Sequence, residues 1–473
     1  MTETSLLGLR TVSSSAHRDT GQPVKMPARA PHSTRRIWQG LGAIAIAASL
    51  VGGCVNTKYR TGAPAQSFVA ADEPRAAEIG RDIIAQGGKA GDAATAMAMA
   101  MAVTLPSRVG MTGGGVCVVF DAAKKETRTL DFLPRPAGAG GAALPGFLRG
   151  VYALQAATGA MRWEQAVVPA EQLARSTPVS RALARDLADS AARLSADPEA
   201  RRVFLPTGAP LAEGAPLSQP ELAATLSQVR RSGIAAMYGG PLGGAVAQAA
   251  AIDPATIRGF QPRWTGTAAV PLGIVSMHFA QLPETNNGAA LTAAWNAAAG
   301  LPSDQRAARV AQALGATGSG ASNGASAPGA GLVVIDHEEN GVACSFTMGA
   351  PFGSGRMVPG TGLLAARGVD GAGFGAPALL TNAIVGRTQF AGAASAAGND
   401  GPAAAPAALL TAALPAALDK EPGAAIRVSR AANGPGRATF VTCQTSMESG
   451  WKECQIAADP RAHALGILVE TER

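Results

Sequence analysis

Residues 320–362 read GASNGASAPGAGLVVIDHEENGVACSFTMGAPFGSGRMVPGTG. The second half is a hairpin pattern. LVVID is a short apolar β-branched run, HEENG a polar turn, and VACSFT a second run that leads into a glycine-rich loop. The first half is a Gly/Ala/Ser tract with no periodicity. A strand that opens abruptly at such a junction raises one question: does a nucleophile stand at its head?

Working outward, residues 74–86 carry a helical period that stops at Gly87-Gly88, a C-cap signal. AATAMAMAMAVTL follows Asp92 and is apolar all round, as a helix buried on every side requires. MTGGG then leads into the strand VCVVFDA, a turn and RTLDFL. Residues 146–250 read as mostly helical. GIVSMHFA reads as a strand and ALTAAWNAAAG as a short helix. Strands at both ends with helices between them predict an α/β layered domain. The expected divisions are a leader over 1–53, a polar tether over 54–73, a first region over 74–299, a low-complexity linker over 300–330 and a second region over 331–473 that completes the same domain.

The chain has 473 residues, 47% hydrophobic, 4% aromatic and 15% charged. It can bury a large core of small side chains, and it is not a disordered polyelectrolyte. Arg35 and Arg36 precede the apolar run IWQGLGAIAIAASLVGG, which ends at Cys54. A basic segment, a short apolar run and small residues before a cysteine predict an export signal with lipidation of Cys54. The other reading is an uncleaved membrane anchor, for which the run is short. Either Met1 or Met26 is the start. The lipoprotein reading places the protein in a bacterial cell envelope, on the periplasmic side, with a membrane as partner. Residues 1–53 hold six Lys/Arg and two Asp/Glu, so they account for four of the +7 charges and leave +3. There is no basic cluster with interleaved aromatics, so nucleic acid is not an expected partner.

Cys443 and Cys454 flank TSMESGWKE between β-like runs. In an oxidising compartment they read as a loop-closing disulfide, with two free thiols as the alternative. Cys117 and Cys344 lie in apolar strand patterns and read as core residues. No CxxC or HxxxH spacing occurs, and no metal or cofactor is expected.

Several stretches resemble the γ-glutamyltransferase (γ-glutamyltranspeptidase, glutathione hydrolase) family. They are GGKAGDAATAMAMAMAVTLP, MTGGGVCVVFD, RWEQAVVPAEQLARSTPVSRALA, ARRVFLPTGAPLAEGAPLSQPELAATL, FQPRW, PFGSGRMVPGTGLL and the closing AADPRAHALGI. The first six fall in family order over residues 74–365. The resemblance implies the N-terminal-nucleophile hydrolase fold, an αββα sandwich of two stacked sheets between helix layers. It implies a precursor that cuts itself into a large and a small subunit. The exposed threonine then attacks a γ-glutamyl carbonyl with its own α-amine as base. The ligand implied is a γ-glutamyl peptide or a small amino-acid-like molecule.

The family segment Thr-Thr-His-x-x-Val-Val-Asp, set on Asp336, puts the nucleophile at Gly329, and PFGSG gives the same register. Gly329 has no hydroxyl. Ser326, three positions upstream, is the nearest displaced candidate. The family's carboxylate-binding arginine would fall on Leu133, with Arg135 two residues on, either a ligand contact or a surface residue. Thr347 matches a substrate-binding threonine, but the asparagine expected two residues later is Gly349. The acidic motif after PGTG is reduced to Asp370, and the oxyanion turn to SAAGND over 395–400. Three functions fit these residues: a family member with lost or greatly reduced catalysis, an active γ-glutamyl hydrolase or transferase using Ser326, and a structural envelope lipoprotein.

Overall fold

The computed structural model describes residues 65–137, 139–316, 329–370, 377–396, 403–419, 422–431, 436–445 and 452–471. Cys54 and Ser326 lie outside them. The strands are β1 (Ala65–Ala71), β2 (Gly114–Asp121), β3 (Glu126–Asp131), β4 (Arg263–Thr265), β5 (Thr267–Leu272), β6 (Val275–Ala280), β7 (Gly329–Ile335), β8 (Gly341–Thr347), β9 (Pro377–Asn382), β10 (Arg387–Ser395), β11 (Arg437–Thr445), β12 (Lys452–Ala457) and β13 (Leu465–Thr471). They form two sheets, ordered β13-β1-β7-β8-β2-β3-β4 and β12-β11-β10-β9-β6-β5, besides two short two-stranded ribbons.

β7 and β8 are the hairpin expected from LVVID and VACSFT, paired antiparallel from Gly341 opposite Ile335 to Thr347 opposite Gly329. Every residue of both strands is buried. Alternation along β7 sends Leu332 and Val334 towards the helices, and Val333 and Ile335 towards the second sheet. There they meet Leu379, Ala391 and Val441. The sheets approach closely at Gly331, where a Cβ would stand 2.8 Å from the Ala393 methyl group.

The outer face of the first sheet packs on α1 (Pro74–Ala85), α2 (Ala90–Thr104), α3 (Phe147–Thr158), α4 (Trp163–Arg175), α5 (Arg181–Leu194) and α6 (Pro220–Ser232). All of α2 is buried, as its all-round apolar pattern requires. Its positive end faces two buried carboxylates. Asp336 accepts from the Ala90 N–H at 2.9 Å, and Asp92 accepts from the N–H groups of Lys89, Ala160 and Met161. The outer face of the second sheet packs on α7 (Asn287–Ala299), α8 (Ser303–Ala316), α9 (Ala404–Leu418) and α10 (Pro422–Ala431), around Trp295, Phe390, Phe440 and Leu410. The layers therefore run helix, sheet, sheet, helix.

Three expectations need correction. Residues 65–71, read as tether, form β1, because pairing with β13 on one side and β7 on the other holds a weakly patterned stretch. Residues 303–316, read as linker, form α8. Its alanines hide the helical period, yet Val310 and Leu314 are buried in the second core. Cys117 and Cys344 are buried as expected but are also disulfide-bonded, being directly opposed on β2 and β8 with Cα atoms 4.1 Å apart. Cys443 and Cys454 oppose each other on β11 and β12 and are bonded as well.

Glu73 caps α1, its carboxylate accepting the Ala76 N–H at 2.9 Å. Burial pushes its pKa up to about 7 from the usual 4.5, against the pull of that hydrogen bond. The folded state thus holds a proton that the unfolded chain releases. Its contribution is full below pH 4.5 and falls as pH rises to about 7. At about 1.4 kcal/mol per unit, the wild type should lose roughly 3 kcal/mol more than Glu73→Gln across that window. Urea unfolding at both ends of it measures the difference, and equal slopes would refute the assignment.

Candidate functional site

At the head of β7, Gly329 lies opposite Thr347 of β8, and Thr347 lies opposite Gly114 of β2. Gly329 shares the face of Gly331 and Val333, between the sheets. Its N–H donates to the Ala396 carbonyl, just past β10, at 3.3 Å. This is the junction the sequence marked, and the residue there carries no group that could attack a carbonyl. Thr347 is fully buried, and its hydroxyl oxygen accepts the Gly349 N–H at 2.9 Å. None of the three histidines in the described residues stands at this junction. His278 lies within β6, His337 in the β7–β8 turn, and His463 precedes β13. Burial pushes the pKa of His278 down to about 4, so it is neutral near pH 7.

Next to the junction is a carboxyl group that sequence reading missed. Asp72 directly follows β1 and is buried between the sheets. It accepts the Gly331 N–H at 2.9 Å and the Thr439 hydroxyl at 2.7 Å, and its own N–H donates to the Gly331 carbonyl. One side chain thereby ties β1 and β7 of the first sheet to β11 of the second. Burial raises its pKa, while the hydrogen bonds from Thr439 and Gly331 oppose that rise. An Asp-Glu pair before a proline looks like solvated chain. Only the pairing of β1 puts it inside.

The residues beyond Thr347 are closed over by backbone. Arg367 N–H donates to the Met348 carbonyl, Gly368 N–H to that of Gly141, and Val369 N–H to that of Pro134. Gly349 has φ +75°, and a Cβ there would stand 2.2 Å from the Arg367 carbonyl oxygen. The position expected to hold an asparagine therefore has no room for one. Asp370 follows this segment, and most of SAAGND lies outside the described residues.

Leu133, at the expected arginine position, is buried in the layer between the sheets. Arg135 stands in an ion-pair cluster beside it. It donates to Asp131 at 2.6 Å and to Glu284 at 2.7 Å, and Arg263 pairs with the same two carboxylates. Arg263, with Arg135 assisting, holds the Glu284 carboxyl down at about 2. Two cations and two anions close on each other beside a pocket of about 200 Å³ lined by Asp131, Phe132, Leu133, Arg135, Phe260, Gln261 and Arg263. Both ion pairs of Arg135 run through its Nη2, while its Nη1 is buried without a hydrogen-bond partner. Among the described residues, no group of His, Cys, Asp and Glu is arranged to hold a metal ion.

Two stacked sheets between helix layers, with a strand head opening between them, define the N-terminal-nucleophile hydrolase fold. The solved cephalosporin acylase of Bacillus halodurans superposes with a TM-score of 0.65 over 86% of this chain and 96% of that one, at 16% identity. The family model for gamma-glutamyltranspeptidase matches residues 76–317, just over half the chain. The chain belongs to the γ-glutamyltranspeptidase family. It is 36% identical over 197 residues to the glutathione hydrolase proenzyme of Bacillus subtilis (strain 168), which is 37% of this chain and 33% of that protein. It is 31% identical over 212 residues to the acylase ACY 1 proenzyme of a Pseudomonas species (strain V22), 38% of each chain. The chain thus spans little more than a third of the length of these relatives. The family-model match ends ahead of Gly329.

Two substitutions test the geometry. Gly349→Asn should cost roughly 2–4 kcal/mol in urea unfolding, because it adds a backbone clash at a positive φ. Arg135→Met should cost about 2 kcal/mol, because it strips one of two guanidinium partners from the buried Asp131 and leaves Arg263. A near-neutral Arg135→Met would restore its standing as a ligand contact.

Proposed function

We propose that this protein is a γ-glutamyltranspeptidase-family lipoprotein that binds a γ-glutamyl peptide or a related amino-acid-like ligand with lost or greatly reduced turnover. It remains one uncut chain, held at the membrane of a bacterial cell envelope through a lipid on Cys54. The observation that carries the reading is Gly329 at the head of β7. Self-cleavage by this route needs a side-chain oxygen or sulfur to attack the preceding peptide carbonyl, and the same group then attacks substrate. Glycine supplies neither. The freed α-amine, the only base such a site uses, would not form.

The surrounding residues support the same reading. Arg135 is neutralised by its own carboxylates, and the asparagine site is filled by the Arg367 backbone. The stretch that matches the family model carries structural features: the buried helix α2, the glycine turn before β2 and the helices over the first sheet. The relatives' names, glutathione hydrolase above all, point to the ligand class. Among the described residues no helix is long and apolar enough to cross a membrane, so the proposed attachment rests on Cys54 and the apolar run before it.

The test is the intact mass of the protein purified from its envelope, with a γ-glutamyl anilide assay on the same sample. Cys117–Cys344 joins the two regions on either side of the junction. A cut chain would therefore stay in one piece until reduced, so the mass must be read after reduction. A single lipidated chain beginning at Cys54, with no anilide release, is the expected result. Two fragments, the smaller opening on Ser326 or another nearby hydroxyl residue, would reverse the reading in favour of an active hydrolase. An uncut chain to which glutathione does not bind in calorimetry would leave the structural-lipoprotein reading.

A further inference from the structure

Four turns meet at one end of the sheets: residues 122–125 between β2 and β3, 337–340 between β7 and β8, 383–386 between β9 and β10, and 273–274 between β5 and β6. The first three are fastened together. Ala122 N–H donates to the Asn340 side chain at 3.0 Å, the Thr388 hydroxyl to the Glu339 carbonyl at 2.8 Å, and Lys125 Nζ to the Ile384 carbonyl at 2.7 Å. Pairing of Thr381 with Ser276 sets the fourth turn beside the third. On these tips Ile274 is 67% exposed, Ile384 66% and Val385 59%, the three most exposed large apolar side chains among the described residues. Turns are ordinarily polar, because nothing there repays the exposure of an isoleucine to water.

The same end is where the chain enters the fold. Phe68 of β1 pairs with Ile335, the last residue of β7, so Ala65 points past the β7–β8 turn. From Cys54 to Ala65 a fully extended chain spans at most about 40 Å. A lipid on Cys54 would therefore tether the fold through the end of β1 that lies beside these turns. Three ion pairs lie at or beside the tips, Lys124 with Asp121, Lys89 with Glu338, and Arg128 with Glu126, while Lys125 donates to a carbonyl instead. The face thus offers apolar side chains without a large field of one sign.

We propose that these tips form a membrane-docking face, with Ile274, Ile384 and Val385 entering the lipid surface to which Cys54 is anchored. The proposal rests on the lipoprotein reading and adds an orientation to it: the helices on either side of the sandwich stand clear of the membrane. Because the docking residues are apolar, docking should not weaken as salt is raised.

The test uses the full lipidated chain on vesicles of phosphatidylethanolamine and phosphatidylglycerol. Ile274→Cys and Ile384→Cys are labelled with nitrobenzoxadiazole, with Val168→Cys on α4 as the control. The four paired cysteines and a lipidated Cys54 would not take the label. The expected result is blue-shifted emission from both tip probes, quenched by brominated acyl chains and unchanged in high salt, with no change at position 168. Silent tip probes on a chain that floats with the vesicles would overturn the docking face and leave the anchor standing. A chain that does not float would overturn both. A blue shift that grows with protein concentration without vesicles would put a second copy of the chain on this face and overturn the membrane as occupant.

Discussion

β7 is covered on both faces and paired on both edges, and the rest of the molecule is arranged around that confinement. Leu332 and Val334 can only face the helices while Val333 and Ile335 face the second sheet. A slip of one residue would exchange the two sets and drive Gly331, which touches the other sheet, out of register. Asp72 locks the same register from the side, through the backbone of Gly331 and the hydroxyl of Thr439. With β7 fixed in this way, the residue at its head is fixed too, and it is glycine.

That constraint gives the altered site a physical meaning. The features around the junction do not read as an enzyme lacking one atom. The Arg367 backbone fills the space an asparagine would need, and the Arg135 cluster is neutral within itself. A leucine in the layer between the sheets occupies the expected arginine position. Each of these residues is packed into place by its neighbours, which supports the proposed loss of turnover.

Most of the layered architecture was legible in the sequence. The apolar runs of β2, β7 and β8 announced strands, the all-apolar α2 announced a helix buried on every side, and the glycine turns marked their ends. The reading failed where composition concealed pattern. An alanine-rich α8 looked like linker because alanine contrasts little with its neighbours. β1 looked like tether because AQSFVAA is weakly alternating and takes its order from its partners. The cysteines of β2 and β8 looked like two core residues because a cross-strand bond depends on which strands are neighbours, and those two are separated by 227 positions in sequence.

The sequence by itself determined the family, through ordered stretches that resemble it, and the order of the main elements and the absence of a hydroxyl at the head of β7, because these are written in local apolar periods and in the identity of single residues. Tertiary structure alone decided the rest. It brought Asp72 between the sheets, set Arg135 against Asp131 and Glu284, laid Arg367 over Gly349, and gathered four turns and the start of β1 at one end. These are contacts between residues far apart in the chain. They depend on strand order and on the closeness of the two sheets, and no stretch of sequence carries that information alone.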